Sequence, residues 1–212
     1  MAVEFKESRT KENLMRAFAG ESQARNRYTI AARKAKKMGM DTIADIFTYT
    51  ADQERAHAER FYELLKSMSG ETIVIDGGYP VDQQEGLAEM LRAAEHNERE
   101  EYEDVYQNFG NVAQEEGFLE AAATFFQIAK IEHVHEQRFA ELAEMLEKDE
   151  YYANGNEPKK WICTNCGYIH EGKLVPLNCP VCRYDQGHFL PYEFAAYKGK
   201  NERPANEDAK NL

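Results

Sequence analysis

Small and hydrophobic residues recur at spacings of three and four through most of the first 150 positions. This is the period of helices that bury one face, and it predicts a mainly α-helical protein. Gly39 and Gly117 interrupt the pattern briefly. A longer interruption over residues 70–85 contains a Gly-Gly pair and a proline, which break helices. We predict helices over residues 10–38, 41–68, 86–116 and 119–148.

The connections predict how these helices pair. Gly39 and Gly117 allow only short turns, so the helices on either side of each are expected to be antiparallel neighbours. Residues 70–85 instead form a long connection. Two hairpins joined by one long crossover are the connectivity of a ferritin-like four-helix bundle.

Acidic residues and histidines interrupt the apolar faces of all four helices. Two helices carry Glu-x-x-His, in which the carboxylate and imidazole share one side because residues three apart lie on the same face. Buried carboxylates are costly unless they are paired or bind a metal. The residues in this inward phase are Glu21, Glu54, His57, Glu98, Glu101, Glu132 and His135.

These groups also lie at matching depths. Glu21 and Glu54 are eighteen and fifteen residues from Gly39, and Glu98 and Glu132 are nineteen and fifteen from Gly117. At about 1.5 Å per residue, each hairpin presents its carboxylates roughly 22–28 Å from its turn. Ferritin-like di-iron proteins use one Glu from each of two helices and Glu-x-x-His from the other two. We therefore predict a two-metal centre at mid-bundle, of a chemistry that suits iron or manganese.

Other polar residues near these positions are interpreted differently. A lone Glu or a single Glu-x-x-His pair is more simply an exposed helix feature, but two copies in matching phase disfavour that explanation. His96 and His133 lie off the inward face and are interpreted as surface residues. Tyr28 and Tyr102 lie on it and are expected mainly to pack in the core.

The four cysteines form two Cys-x-x-Cys pairs separated by twelve residues. This spacing predicts one tetrahedral thiolate site built from Cys163, Cys166, Cys179 and Cys182. Zinc and iron share the spacing, and the spacing alone favours structural zinc. The predicted organisation is a bundle over residues 1–150, a linker over 151–158, a small metal-binding domain over 159–192, and a disordered tail over 193–212.

Composition narrows the possible partners. The formal charge of −12 disfavours nucleic acid and anionic membranes as main partners. No apolar run approaches the length of a membrane span, and residues 1–6 contain no signal core, so a cytoplasmic location is expected. Clustered cysteines in a reducing compartment indicate a metal site rather than disulfides. No Gly-rich dinucleotide motif is present, so we expect the chain to bind no nucleotide.

Several stretches resemble one family. Residues 18–28, Phe-Ala-Gly-Glu-Ser-Gln-Ala-Arg-Asn-Arg-Tyr, are similar to the first-helix signature of the rubrerythrins, and residues 135–139 resemble their fourth helix. Trp161 and the Cys-Gly-Tyr and Cys-Pro steps resemble rubredoxin, which holds one redox-active iron. Arg183 departs from the rubredoxin pattern, because glycine is common at that position. The resemblance extends to about Tyr192.

The resemblance implies a role for each ligand. Glu54 and Glu132 would bridge two irons, and Glu21 and Glu98 would be terminal carboxylates on opposite irons. His135 would bind the iron that Glu98 serves. Glu101 and His57 would alternate on the other iron as its redox state changes, which makes these two the catalytic residues. The four cysteines would hold a third iron.

The resemblance also implies a function. It indicates a non-haem di-iron peroxidase that reduces hydrogen peroxide to water in oxidative stress protection. Electrons would reach the cysteine iron from an external donor, a rubredoxin or an NAD(P)H-dependent reductase. A homodimer is implied, in which the cysteine iron of one subunit serves the di-iron site of the other.

Two alternatives remain open from the sequence. One is a ferritin-like iron oxidase or storage protein that uses oxygen. The other is an iron or redox sensor whose cysteines hold structural zinc. Metal analysis separates the second alternative, because it predicts zinc at the thiolates and no turnover.

Overall fold

The computed structural model describes residues 3–155 and 157–196. The chain forms two compact units, one ending at Tyr151 and the other beginning at Tyr152. The first unit is a helical bundle and the second contains a small sheet, which confirms the predicted fold class. Residues 197–212, most of the tail predicted to be disordered, lie outside the described residues. Within the described part of the chain, no helix is long and apolar enough to cross a membrane.

Five α-helices build the four antiparallel rods of the bundle. The third rod consists of two of them, joined without a break by a π-helical turn, Glu101–Val105. The second predicted helix ends early, and a 3₁₀ turn, Lys66–Met68, follows it. The helices are α1 (Arg9–Lys37), α2 (Asp41–Leu64), α3 (Leu87–Glu100), α4 (Tyr106–Glu116) and α5 (Leu119–Glu147).

The predicted hairpins are present. Gly39 and Gly117 have φ angles of 74° and 88°, in the left-handed region that glycine enters at little cost. Each therefore ends a helix and reverses the chain. Helix α1 packs along α2, and α3 and α4 pack along α5.

The two hairpins are tied together where α1 begins. The Lys11 N–H donates to Ser8 Oγ at 3.0 Å, which caps the helix from within its own chain segment. The Glu116 carboxylate accepts from the backbone N–H groups of Arg9 and Thr10 at 3.0 and 2.9 Å. Glu116 thus places a negative charge at the positive end of the α1 dipole, and it links the end of α4 to the start of α1.

The crossover, residues 70–85, runs along α1 back toward the Gly39 end of the bundle. Asp76 pairs with Arg16 at 2.6 Å near the start of α1, and Asp82 pairs with Arg27 at 2.6 Å farther along. The Asp76 side chain is 93% exposed, whereas Asp82 is 22% exposed and also accepts from Asn97 Nδ2 at 2.8 Å. The Asp82 contacts are less screened by water, so they hold the crossover more firmly.

The second unit has one three-stranded antiparallel sheet. Strand β1 (Lys159–Cys163) lies between β2 (Ile169–Gly172) and β3 (Phe189–Pro191). Cys163 is paired with Phe189 in this register, so the first cysteine emerges at the end of the central strand. The small core beneath the sheet consists of Trp161, Cys163, Val175, Cys179 and Phe189.

The segment predicted as a linker has ordered contacts. Tyr151 is 2% exposed, and its hydroxyl lies 2.8 Å from Thr42 Oγ1 in the bundle. Ala153 forms an isolated antiparallel bridge with Leu174 in the second unit.

Gly110 allows α4 and α5 to approach closely. A Cβ atom at this position would lie 2.5 Å from the Phe126 ring. We expect Gly110→Ala to lower the free energy of unfolding by about 1–3 kcal/mol, although alanine is the better helix former. Urea unfolding of the metal-free protein, followed by circular dichroism, measures the change.

Gly20→Ala is the matched control, because a Cβ there would meet only Tyr79 Cε1, at 3.8 Å. It should raise stability by up to about 1 kcal/mol. Equal effects of the two substitutions would show that the Phe126 ring moves aside at no cost.

Candidate metal centres

The bundle centre contains a layer of buried acidic and imidazole groups. All six of its members come from inward helix positions, and His57, at 7%, is the most exposed of them. Every predicted bundle residue except Glu101 belongs to this layer. The six residues are Glu21, Glu54, His57, Glu98, Glu132 and His135.

The layer divides into two overlapping groups that share Glu54 and Glu132. On one side, His57 Nδ1 lies 3.0 Å from Glu132 Oε1 and 3.2 Å from Glu54 Oε2. On the other side, His135 Nδ1 lies 2.8 Å from Glu132 Oε2 and 3.1 Å from Glu54 Oε1. Each shared carboxylate therefore turns one oxygen toward each histidine.

One further carboxylate completes each group. Glu21 Oε1 is 3.8 Å from His57 Nδ1, and Glu98 Oε2 is 3.5 Å from His135 Nδ1. The two imidazole rings lie 6.0 Å apart and nearly parallel, at 20°. The result is two adjacent four-ligand sites with two carboxylates in common, within which the ligand atoms of each site lie within 4.8 Å of one another.

Many polar atoms of this layer have no hydrogen-bond partner apart from the other groups of the layer. Among the described residues, six buried atoms are of this kind: Glu21 Oε2, Glu54 Oε1, Glu98 Oε2, both Glu132 oxygens and His135 Nδ1. Each such group costs about 1–3 kcal/mol, or more when charged. These atoms converge on two points, as ligands of two cations would. Hard carboxylates and imidazoles form a donor set consistent with iron.

Protons and metal ions compete for this site. Burial, together with the nearby Glu54 and Glu132 carboxylates, raises the pKa of Glu98 to about 8. Burial and the Glu132 carboxylate likewise raise the pKa of Glu21. Burial opposes charge on His57, but contacts with Glu132, Glu21 and Glu54 outweigh it and raise the His57 pKa. Without metal, protons therefore offset the mutual repulsion of the carboxylates.

Aromatic layers close the site at both ends along the bundle axis. Phe61 packs on Phe125 at a centroid distance of 5.1 Å, and Phe47 packs on Phe139 at 5.3 Å. These four rings lie seven residues before and after Glu54 and Glu132, which is about two helical turns. The four rings exclude water from the site, and the low polarity there strengthens the electrostatic interactions among the acidic groups and histidines.

A buried tyrosine hydroxyl holds each of the two outer carboxylates. Tyr28 donates a hydrogen bond to Glu98 Oε1, and Tyr106 donates to Glu21 Oε1 at 2.5 Å. Tyr102, expected to pack in the core, is partly buried against the hydrophobic cluster of the bundle, and its ring also stacks on the His133 ring at a centroid distance of 4.4 Å.

The π-helical turn explains why Tyr106 occupies this position. A π turn accommodates one extra residue, which shifts the buried face of the helix by one position. Beyond the turn the buried residues are Tyr106, Gly110 and Ala113, whereas a regular helix would bury Val105, Phe109 and Val112. Two features of the sequence could have indicated this shift: the two carboxylates on the third rod, Glu98 and Glu101, and the tyrosine at residue 106.

Glu101 lies beside the layer and outside both four-ligand groups. It is the first residue of the π turn, and it lines a cavity together with Tyr106. Burial and the nearby Glu21 and Glu98 carboxylates raise its pKa. His96 and His133 have side-chain exposures of 65% and 41%, in agreement with their interpretation as surface residues.

A polar chain that the sequence analysis missed supports His135. Its Nε2 lies 3.1 Å from Gln53 Oε1, which also accepts from Arg138 Nη1 at 3.4 Å. The same guanidinium nitrogen donates to Thr50 Oγ1 at 3.0 Å. Because Nε2 must carry the proton to donate to Gln53, Nδ1 is left with a lone pair facing the carboxylates, as a metal ligand requires.

The cysteine module is built from two matching turns. The Gly167 N–H donates to Cys163 O at 2.8 Å, and the Arg183 N–H donates to Cys179 O at 2.9 Å. Gly167 and Arg183 have φ angles of 78° and 68°. Arg183 therefore takes the left-handed conformation of a glycine, which costs roughly 1–2 kcal/mol for a residue with a Cβ.

The four thiols converge without forming disulfides. The distance between Sγ atoms is 3.7 Å for Cys163 and Cys182 and 3.6 Å for Cys166 and Cys179. A tetrahedral site with metal–sulfur distances of about 2.3 Å has edges near these values. A hydrogen bond from the Asn165 side chain, with one from the Tyr184 backbone, lowers the pKa of Cys182 to about 6, whereas burial raises the pKa of Cys163 to about 12. The module thus suits one metal ion held by four thiolates.

The fold and both sites define a class: a ferritin-like bundle with a carboxylate and histidine centre, joined to a four-thiolate module. Family models agree with this class, matching "Rubrerythrin" over residues 12–143 and "Rubrerythrin, rubredoxin-like domain" over residues 161–190. The chain belongs to the rubrerythrin family.

Known relatives match along most of their length. Rubrerythrin from Clostridium perfringens is 43% identical, with 87% of this chain and 94% of the relative covered. Rubrerythrin from Porphyromonas gingivalis is 44% identical, with 90% and 94% covered. A structure of nigerythrin in a partially reduced state superposes with a TM-score of 0.59 at 30% identity, covering 91% of this chain and 88% of the other.

The buried layer predicts how stability depends on pH. Glu21, Glu98, Glu101 and both histidines bind protons more tightly in the folded state, so stability must fall as pH rises. Each proton that is bound in the folded state and released on unfolding changes the free energy of unfolding by about 1.4 kcal/mol per pH unit. Glu54, whose pKa is lowered, titrates below this range. We expect the free energy of unfolding of the metal-free protein to fall between about pH 5 and pH 8.

Urea titrations across this range, with and without bound metal, test the expectation. Metal replaces the protons, so the loaded protein should lack the decline. Glu98→Gln should make the decline in the free energy of unfolding of the metal-free protein less steep, by up to the contribution of one proton, about 1.4 kcal/mol per pH unit. Constant or rising stability of the metal-free protein would contradict the electrostatic account.

Proposed function

We propose that this protein is a non-haem di-iron peroxidase that reduces hydrogen peroxide to water and protects against oxidative stress. One observation carries the proposal: two adjacent four-ligand groups share Glu54 and Glu132, in a chain that also supplies a four-thiolate site. Reducing one hydrogen peroxide to two waters consumes two electrons and two protons. A paired metal centre suits the two-electron step, and the thiolate site suits delivery of electrons one at a time.

Each ligand has a proposed role. Glu54 and Glu132 would be the ligands shared by the two irons, since each turns one oxygen toward each histidine. Glu21 is the terminal carboxylate on the His57 side. Glu98 and His135 complete the other side. Glu101 and His57 would serve as alternative ligands of one iron as its redox state changes.

Irons held by these residues would supply the two electrons of the reduction. The protein residues provide the surrounding conditions. The phenylalanine layers exclude water from the ends of the site, and Tyr28 and Tyr106 fix the orientation of the outer carboxylates. Glu101, on the cavity side, is placed to hand protons to the departing waters.

The thiolate module is proposed as the electron inlet. Cys166 is exposed and Cys182 is partly exposed, so an iron held there would be accessible to an electron donor. Electrons would come from a rubredoxin or an NAD(P)H-dependent reductase. A cytoplasmic homodimer, in which one subunit's thiolate iron serves the other's bundle site, completes the proposal.

Anaerobic stopped-flow spectroscopy tests the proposed function. Fully reduced, iron-loaded protein is mixed with hydrogen peroxide or with oxygen, and the visible band of oxidised thiolate iron is followed. Faster oxidation by peroxide supports the peroxidase. Faster oxidation by oxygen indicates the iron oxidase instead. Absence of a thiolate-iron band after iron loading indicates zinc and removes the proposed inlet.

Glu101→Gln should separate turnover from metal binding. Because Glu101 lies outside both four-ligand groups, we expect iron content to be unchanged while peroxide reduction slows by about 10²-fold, typical of the loss of a proton-transfer group. Elemental analysis and peroxide kinetics measure the two effects. Glu103→Gln, an exposed residue in the same π turn, is the control. Peroxide kinetics of Glu101→Gln equal to those of the unmodified protein would refute the catalytic role.

A further inference from the structure

We propose that hydrogen peroxide reaches the bundle centre through a cavity between α1, the crossover and the π turn, and that Gly20 and Tyr79 set its width. The cavity has a volume of about 240 Å³. Gly20 belongs to its α1 wall, and Gly77–Pro80 form its crossover wall. This inference deepens the proposed peroxidase function and rests on it.

The inner end of the cavity is lined by residues that lie next to the metal-binding layer. Glu101 and Tyr106 both line it, and the Tyr106 hydroxyl donates to Glu21 at 2.5 Å. A molecule in this cavity therefore contacts the residue proposed to move protons and the tyrosine that orients an outer ligand. Polar side chains of Gln23 and Asn97 also line the cavity, which suits a small polar substrate.

Gly20 is a glycine that neither backbone geometry nor packing requires. It lies inside α1 with an ordinary helical backbone, where glycine destabilises a helix relative to alanine. A Cβ at this position would make only an ordinary contact with Tyr79 Cε1, at 3.8 Å. At Gly110, by contrast, a Cβ would clash with Phe126 at 2.5 Å. The consequence of glycine at residue 20 is open space beside the Tyr79 ring.

Tyr79 forms the outer side of the passage. Its ring faces Gly20, its hydroxyl donates to the Arg16 carbonyl at 3.2 Å, and the residue is 42% exposed. The Arg16–Asp76 and Arg27–Asp82 ion pairs hold the crossover on either side of this tyrosine. The crossover thus fixes one aromatic ring at the mouth of the cavity.

A second opening lies on the opposite side of the layer. This groove of about 440 Å³ between α2 and α5 is lined by His57, Arg60, Glu120 and Ala123. The Arg60–Glu120 ion pair, at 2.6 Å, spans it. Of the residues in the proposed bundle site, only His57 lines this groove, whereas Glu101 lines the cavity beside α1. The cavity is therefore the better placed route for a substrate that needs protons.

Two substitutions test the route in opposite directions. Gly20→Leu fills the cavity from α1, and Tyr79→Ala widens its mouth without altering a helix. Ala123→Leu, which narrows the groove between α2 and α5, is the matched control.

Each iron-loaded variant is mixed with hydrogen peroxide or tert-butyl hydroperoxide in the reduced state, and with azide in the oxidised state. Azide binding, followed by absorbance, measures access to the site without turnover, and iron content and thermal stability are measured alongside.

Gly20→Leu should slow both the reaction with hydrogen peroxide and the association of azide by about tenfold or more. Ala123→Leu should slow neither process. Tyr79→Ala should speed the reaction of tert-butyl hydroperoxide, whose bulk the tyrosine ring excludes, while iron content stays unchanged. The proposal is overturned if Gly20→Leu matches the unmodified protein with both probes, or if Ala123→Leu is the variant that slows them. If the unmodified protein reacts faster with oxygen than with peroxide, the proposed function fails, yet azide association still decides the route.

Discussion

Four carboxylates brought together in a helical core impose the main constraint on this bundle. Glu21, Glu54, Glu98 and Glu132 are each at most 1% exposed, and several of their oxygens have no hydrogen-bond partner among the described residues apart from the two histidines of the layer. Like charges at this separation in a medium of low polarity repel one another strongly. The folded state therefore needs cations or protons at its centre. The two histidines, whose pKa values are raised, partly meet this need when metal is absent.

The rest of the bundle positions these charges. Phenylalanine pairs close the site along the bundle axis, and Tyr28 and Tyr106 each hold one outer carboxylate. Gln53 fixes the His135 ring so that its Nδ1 faces the shared carboxylates. These contacts fix the orientation of the ligands that they touch. Glu101 is the exception, because it lies outside both groups and borders a cavity.

The thiolate module obeys a different constraint. Its small core contains two of the four cysteines, so metal binding and folding involve the same residues. Its two turns repeat the same backbone hydrogen bonds, and Arg183 accepts a left-handed conformation that Gly167 adopts freely. The geometry of the sulfurs thus follows from the turns themselves, whereas the bundle site depends on four separate helices.

The sequence by itself determined the elements whose physics is local. The Glu-x-x-His pairs, the two Cys-x-x-Cys turns and the glycine-ended hairpins follow from spacing within one helix or turn, and six bundle residues, together with the four cysteines, lie where spacing placed them. Only the tertiary structure decided the role of Tyr106, since a π turn shifts the helical face by a residue. It also decided the Gln53 contact with His135 and the cavity beside Gly20. These features arise between segments distant in the chain, and no local period of the sequence encodes them.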